Sequence, residues 1–386
     1  MLIGICGKPN AGKSTFFSAA TLVDVKIASY PFTTIDPNKG ITYVRSPCPH
    51  VGIGAQCNPK NSKCEDGTRL IPMNLMDVAG LVPGAHTGKG LGNKFLDDLR
   101  EADALIQIID LSGKTDLEGR SCEWCDPADE ISFLEEEISH WIAGIIKKHK
   151  DKIRGRGLEG LADALTGLNM TVDEVKNVVE KLGLEKERVS WSDDETLLFA
   201  GEIRKLSKPI VVAANKSDLP GARENLERLR ERFPEKLIIP CSAAAELALR
   251  KAHEKGVISY VPGDNKFTIT GNADEKQRKA LERLGEIIAA EGSGVQRVID
   301  EAAFNLLGLI VVYPVEDENK FSDHFGNVLP HAILLEKGKT PIDLAGKVHT
   351  DLAKNFICAI NARTKMKVGK DYVLQKNDII KIVANA

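Results

Sequence analysis

Gly7-Lys8-Pro9-Asn10-Ala11-Gly12-Lys13-Ser14 is the stretch that decides how this chain is read. It fits G-x-x-x-x-G-K-[ST], and its flanks carry more weight than the pattern. Leu2–Cys6 before it is a short apolar run that reads as a buried strand, and Lys13–Leu22 after it reads as a helix start. A strand, a tight glycine turn and a helix N-terminus aim backbone N–H groups and a positive dipole end at one point, where phosphates bind. Gly7 and Gly12 permit the turn, Lys13 reaches the outer phosphates and Ser14 offers a hydroxyl to Mg²⁺. Lys8, Pro9, Asn10, Ala11 and Thr15 complete the predicted nucleotide cradle.

Working outward, further clusters follow in the order a guanine-nucleotide-binding domain requires. Pro31-Phe32-Thr33-Thr34 offers hydroxyls after the first helix. Asp77-Val78-Ala79-Gly80, Asn215-Lys216-Ser217-Asp218 and Cys241-Ser242-Ala243 each follow an apolar run, at Leu70–Met76, Pro209–Ala214 and Leu237–Ile239. Open α/β sheets collect ligands at such carboxyl ends of strands. Asp77 suits the Mg²⁺ shell, and Gly80 lets its N–H approach the γ-phosphate. A switch threonine adds a hydroxyl to Mg²⁺ and an N–H to the γ-phosphate, and both contacts vanish after hydrolysis. Asp218 can accept from guanine N1–H and N2–H₂; adenine lacks both donors and would leave a carboxylate unpaired. Asn215 braces the loop, the Lys216 stem covers a base face, and Ser242 and Ala243 close the base end.

These motifs resemble the Obg-related GTPases of the YchF type, also called Obg-like ATPases. The likeness is carried by residues 7–14, by Tyr30-Pro31-Phe32-Thr33-Thr34-Ile35-Asp36-Pro37-Asn38, and by residues 77–86 with Gly88-Lys89-Gly90-Leu91-Gly92-Asn93. A C-terminal segment is similar to a TGS domain. The resemblance implies that Thr34 is the switch threonine, with Thr33 the alternative. It also implies Leu81 where many GTPases carry a water-orienting glutamine, hence slow intrinsic hydrolysis. His86 is its candidate for aligning the water, against a solvated loop histidine. Asn10 is a candidate K⁺ ligand, and K⁺-type relatives imply a transient G-domain dimer as the alternative to a monomer. Relatives that prefer ATP end the Asn-Lys-x-Asp motif in Glu; this chain keeps Asp218, which argues for guanine.

Between Asp77 and Asn215 lie 137 residues, too many for the core fold alone. Asp126 and Pro127 read as the cap and first residue of a helix whose apolar face is Ile131, Leu134, Ile138, Trp141, Ile142 and Ile145. Val172–Leu182 and Asp194–Leu206 read as further helices. The basic tract Lys147–Arg156 reads as a solvated helix end before an RNA contact. Asp274–Ala290 and Gly294–Leu307 carry helix patterns. Strands are expected at Ile310–Val315, Val328–Leu335, Tyr372–Leu374 and Ile379–Val383, with a helix at Pro341–Phe356. Lys337–Ala386 holds ten Lys/Arg against four Asp/Glu, a local basic face that suits phosphate backbones.

The expected architecture is therefore α/β: a P-loop NTPase G domain with a mostly parallel sheet and helices on both faces, a helical insertion, and a C-terminal β-grasp module. The expected boundaries are 1–118 and 207–246 for the G domain, 119–206 for the insertion, 247–307 for a helical extension and 308–386 for the TGS-like module. Across the 386 residues the net charge is −3, with 42% hydrophobic and 28% charged residues, which excludes a disordered chain. The N-terminus lacks a signal-peptide pattern and no apolar run reaches a membrane span, so a cytoplasmic protein without a membrane partner is expected. Cys48, His50, Cys57 and Cys64 share a long loop, but their spacing lacks the C-x₂₋₄-C start of zinc sites, which argues against zinc. Cys122-Glu123-Trp124-Cys125 has that spacing without a partner pair.

The functional expectation is a GTP-binding, slowly hydrolysing switch near the ribosome, with Mg²⁺. Its rivals are an ATPase in stress regulation and an RNA- or ribosome-binding adaptor whose nucleotide is structural.

Overall fold

The computed structural model describes residues 1–21, 39–78, 80–81, 83–87, 98–185, 190–271 and 273–385. Thr33, Thr34 and the Gly88–Asn93 stretch lie outside the described residues. The chain forms two compact units: Met1–Leu22, Pro37–Gly40 and Asn74–Val298 in one, and Val23–Asp36, Ile41–Met73 and Ile299–Ala386 in the other.

In the first unit the strands β1 (Leu2–Cys6), β4 (Thr68–Asp77, here from Asn74), β5 (Ala104–Asp110), β6 (Ile210–Asn215) and β7 (Ile238–Pro240) pair in the order β4-β1-β5-β6-β7. Every pairing is parallel, as crossover helices require. β1 and β5 are buried almost throughout, which is why they read as continuous apolar runs. The register sets Ile5 opposite Asp77 and Asp110 opposite Asn215, so three polar residues end neighbouring strands on one edge.

The insertion is helical: Pro127–Lys148, Lys150–Ala164, Val172–Leu182 and Asp193–Ser207. Asp126 caps the first by accepting from the Ala128 N–H at 3.0 Å, with Pro127 at the first helical position. Thr171 and Ser192 begin capping boxes closed by Glu174 and Glu195. Leu134, Ile138, Ile142, Phe199 and Ile203 make one core with Leu99 and Leu105. In the basic tract, Lys147 pairs with Asp193, while Lys152 and Arg156 pair with Asp163. Cys122 and Cys125 form a disulfide.

The second unit carries a mixed sheet in the order β11 (Ile333–Glu336), β10 (Leu309–Val315), β14 (Ile379–Ala384), β12 (Phe356–Asn361), β13 (Met366–Val368). β10 and β14 are parallel and the other pairs antiparallel. Helix Pro341–Val348 buries Leu344 against Ile310, Val312, Leu335, Ala359 and Ile380, a β-grasp packing. Three expectations are corrected here. The helix expected to run from Pro341 to Phe356 is two short helices, ending at Val348 and Lys354, and Phe356 opens β12 because Phe-Ile-Cys-Ala-Ile favours a pleated, half-buried surface. Tyr372–Leu374 has no strand pairing; the Tyr372 hydroxyl instead donates to Asp378 at 3.0 Å. The strand expected from Val328 starts at Ile333.

Residues 41–73, placed by chain order in the G domain, fold with Ile299–Ala386 instead. The backbone explains why: Asn58 N–H donates to Val328 O at 2.8 Å, Lys60 N–H to Pro330 O at 2.7 Å, and Asn61 exchanges two bonds with Ala332. β3 (Lys63–Glu65) and β4 form a hairpin across Asp66-Gly67, both at positive φ (45° and 79°), a two-residue turn matched to strand twist. That turn sets Cys64 opposite Arg69, and Gly67 O accepts from the Cys48 N–H at 2.8 Å. The loop thereby gathers Cys48, His50, Cys57 and Cys64, whose ligand atoms lie within 4.8 Å of one another. The spacing that argued against zinc is thus no obstacle, because tertiary folding supplies the proximity.

Among the described residues no helix is long and apolar enough to cross a membrane.

Candidate functional site

The phosphate loop joins β1 to helix Lys13–Thr21. Gly7 and Gly12 both take positive φ (141° and 100°). A Cβ at Gly7 would stand 2.3 Å from Ile108 O, and one at Gly12 2.3 Å from Asn215 Nδ2, so both positions demand glycine twice over. Asn215 reaches across: its Nδ2 donates to Ala11 O at 2.9 Å and its Oδ1 accepts from Ala243 N–H at 3.0 Å. Ser242 caps helix Ala243–Glu254 by accepting from Ala245 N–H at 3.2 Å.

Lys13 Nζ donates to Lys8 O at 2.8 Å, and burial lowers its pKa against the pull of Asp77. Burial likewise pushes the Asp77 carboxyl up, opposed by Lys13 and a hydrogen bond from Ser14. Asp77 Oδ1 is buried with no hydrogen-bond partner among the described residues. A buried carboxylate oxygen left bare beside a serine hydroxyl fits a hard cation, so Ser14 and Asp77 suit Mg²⁺. Gly80 packs against Lys13: a Cβ there would meet Nζ at 3.2 Å. Leu81 is buried, and its N–H donates to Gly7 O at 3.2 Å.

Lys8 stands in the phosphate loop with its side chain engaged elsewhere. Its ammonium is buried in an ion pair with Glu130 at 2.9 Å and donates to Thr115 O at 2.5 Å, so the side chain turns into the protein. Burial pushes the Glu130 carboxyl up to about 7 against the pull of Lys8. Lys216, at φ 63°, pairs its ammonium with the buried Asp110 at 2.8 Å. Burial raises the Asp110 carboxyl, yet hydrogen bonds from Lys216, Ser112 and Thr115 hold it below the usual range. Pro9 is half-buried against Gly119, whose Cβ would stand 2.9 Å from Pro9 O, and Asn10 Nδ2 donates to Gly119 O at 2.9 Å. Ser14 is exposed and Thr15 half-buried at the helix start.

Asp218 is half-buried, and among the described residues its carboxylate makes no hydrogen bond or ion pair. His86 is held elsewhere: its Nδ1 lies 2.6 Å from Glu137 and its ring stacks on His140, both on helix Pro127–Lys148. Glu137 also accepts from the N–H groups of Gly84 and His86 at 2.6 and 2.9 Å. Burial raises the Glu137 carboxyl, but these bonds outweigh it and hold the group low. Sequence reasoning missed Asp110, Glu130 and Glu137, each a carboxylate at a strand end or inside a helix that looks solvated until its partner is known.

A family model described as 50S ribosome-binding GTPase matches residues 2–154. One described as Obg-like GTPase YGR210-like, G4 motif-containing domain, matches 213–317, and a TGS domain matches 325–384. An uncharacterized GTP-binding protein of Methanocaldococcus jannaschii is 49% identical, covering 100% of this chain and 99% of its own length. The ribosome-binding ATPase YchF of Haemophilus ducreyi is 28% identical over 98% of this chain and 97% of its own. Among solved structures, a GTP binding protein from Pyrococcus horikoshii OT3 superposes with a TM-score of 0.78 at 43% identity, covering 100% of both chains.

Proposed function

The chain belongs to the Obg-like family of P-loop GTPases of the YchF type, and from that premise we propose that it binds GTP·Mg²⁺, hydrolyses it slowly and acts as a nucleotide-dependent switch. The observation that carries guanine over adenine is Asp218, a carboxylate with no protein partner among the described residues at the end of Asn215-Lys216-Ser217-Asp218. It would accept two hydrogen bonds from the guanine edge, bonds worth more than neutral ones because the acceptor is charged.

The loop amides of Gly7–Thr15 and the Lys13 ammonium would hold the phosphates, with Gly80 offering its N–H to the γ-phosphate. Ser14 and Asp77 would hold Mg²⁺, joined by Thr34, and that ion would neutralise charge on the outer phosphate oxygens. Leu81 has no side-chain amide with which to orient water, which supports slow turnover. His86 acts on water only when its clamp to Glu137 opens. Asn10 directs Nδ2 to Gly119, so a K⁺ ion would take Oδ1, and faster hydrolysis in K⁺ than in Na⁺ checks this. A K⁺-dependent dimer of the nucleotide unit accompanies that reading, and sedimentation with and without K⁺ tests it.

Ribosome or RNA association is supported by the ribosome-binding YchF relatives and by the basic segment Lys337–Ala386. Calorimetric titration with GTP and ATP in Mg²⁺ tests the base: GTP should bind at least tenfold tighter, and tighter ATP binding refutes the assignment. Ribosome association that differs between GTP-loaded and GDP-loaded chain supports a switch; equal association supports an adaptor.

A further inference from the structure

Cys48 follows the end of β2 (Lys39–Pro47), His50 opens a single helical turn, Cys57 lies in the loop beyond and Cys64 is on β3. The Sγ atoms of Cys48 and Cys57 are 3.9 Å apart. His50 Nδ1 lies 3.3 Å from Cys57 Sγ and 3.5 Å from Cys64 Sγ. Zinc bonds of about 2.3 Å to sulfur and about 2.0 Å to nitrogen give tetrahedral edges of about 3.8 Å between sulfurs and about 3.5 Å from sulfur to nitrogen. These three edges match, and all four ligand atoms lie within 4.8 Å of one another.

A second observation is independent of those distances. Arg69 is wholly buried, with Nε on Ser62 Oγ at 2.8 Å, Nη2 on Leu329 O at 2.5 Å and Nη1 3.8 Å from Cys48 Sγ. Among the described residues no carboxylate pairs with it. A buried guanidinium needs a negative partner, and the neighbouring groups able to become one are thiols. The Tyr313 ring lies 5.6 Å from the same guanidinium, and its buried hydroxyl has no hydrogen-bond partner among the described residues.

We propose that Cys48, His50, Cys57 and Cys64 form a closed structural zinc site with Arg69 as its counter-charge. Loading exchanges three thiol protons for one Zn²⁺. Three thiolates and a neutral imidazole around the ion leave a charge of −1, which Arg69 balances. All four positions are filled by protein, so no place remains for a substrate or water. Three soft thiolates with an imidazole select zinc over magnesium or calcium. The site fixes Cys57, and with it the segment of Asn58, Lys60 and Asn61, whose two backbone N–H groups and Asn61 carboxamide bond to residues 328–332.

The test is zinc content of the full chain purified under reducing conditions and again after anaerobic loading with zinc chloride. One zinc per chain is expected. Cobalt substituted into the unmutated chain should give intense tetrahedral bands with thiolate charge transfer, a readout that does not depend on any variant folding. C57S and C64S should each weaken zinc binding at least tenfold. The double variant C122S/C125S should keep its zinc. Absence of zinc after loading, loss of zinc in C122S/C125S, an octahedral cobalt spectrum or iron in place of zinc would overturn the proposal. None of these readouts involves nucleotide, so the outcome stands apart from the GTP reading.

Discussion

Two buried cations set the units of this chain apart. In the nucleotide unit, Lys8 meets the Glu130 carboxylate at 2.9 Å. In the other, Arg69 meets a hydroxyl, a carbonyl, a thiol and an aromatic face, and no carboxylate among the described residues. Taking a charge out of water costs several kcal/mol unless an opposite charge accompanies it. The Lys8–Glu130 pair of the first unit carries both charges within its own chain. The second completes its balance when thiols give up protons, which makes its final packing conditional on a metal.

Removing the carboxylate should be the harshest blow. Glu130→Gln leaves Lys8 buried and uncompensated, and should cost about 3–5 kcal/mol in chemical denaturation. A loss below about 1 kcal/mol would mean that Lys8 is neutral in the fold and that the contrast with Arg69 is false. Next comes Asp218→Asn, which exchanges an acceptor for a mixed donor and acceptor. GTP affinity should fall about 100-fold, near 2.7 kcal/mol, while xanthosine triphosphate, with a carbonyl replacing the amino group, gains. Unchanged GTP affinity in titration would remove Asp218 from the base site.

Arg69→Met probes the other unit, and zinc affinity measured by chelator competition should fall about 10- to 100-fold. If zinc binds equally well, the counter-charge lies elsewhere. The smallest effect concerns Glu137, a third internal balance in the nucleotide unit. Its carboxyl is held low in the fold, so its contribution is complete above the unfolded value of about 4.3 and fades as pH falls through the lower folded value. Hydrogen-exchange protection of the Gly84 and His86 amides should fade with it, and Glu137→Gln should abolish that pH dependence at a cost of about 1 kcal/mol. Protection that ignores pH would show that the clamp is not ionic.

What could be read from sequence was what the chain encodes locally. Gly7–Ser14 announces itself because a strand, a turn and a helix start must be contiguous. Asp126-Pro127 does so because a cap sits next to what it caps. The ion pair of the Lys8 side chain is not legible because the carboxylate that claims it is 122 positions away, inside an ordinary helix repeat. The spacing of the cysteine cluster argues against zinc without deciding it, because a hairpin and one helical turn do the work that short spacing does in compact zinc motifs. Phe356–Asn361 was missed because the preceding Ala353-Lys354 extends the helix pattern and gives no stop signal.

The carboxamide of Asn215 acts as a caliper. One jaw rests on Ala11 O, the other on Ala243 N–H, and Gly12 leaves it room to close. It fixes the distance between the phosphate loop and the start of helix Ala243–Glu254. On the proposed reading, the bracing of the loop and the choice of base would fall to separate side chains three residues apart. A lineage built on this frame can trade guanine for adenine at position 218 while the gauge at 215 stays as it was.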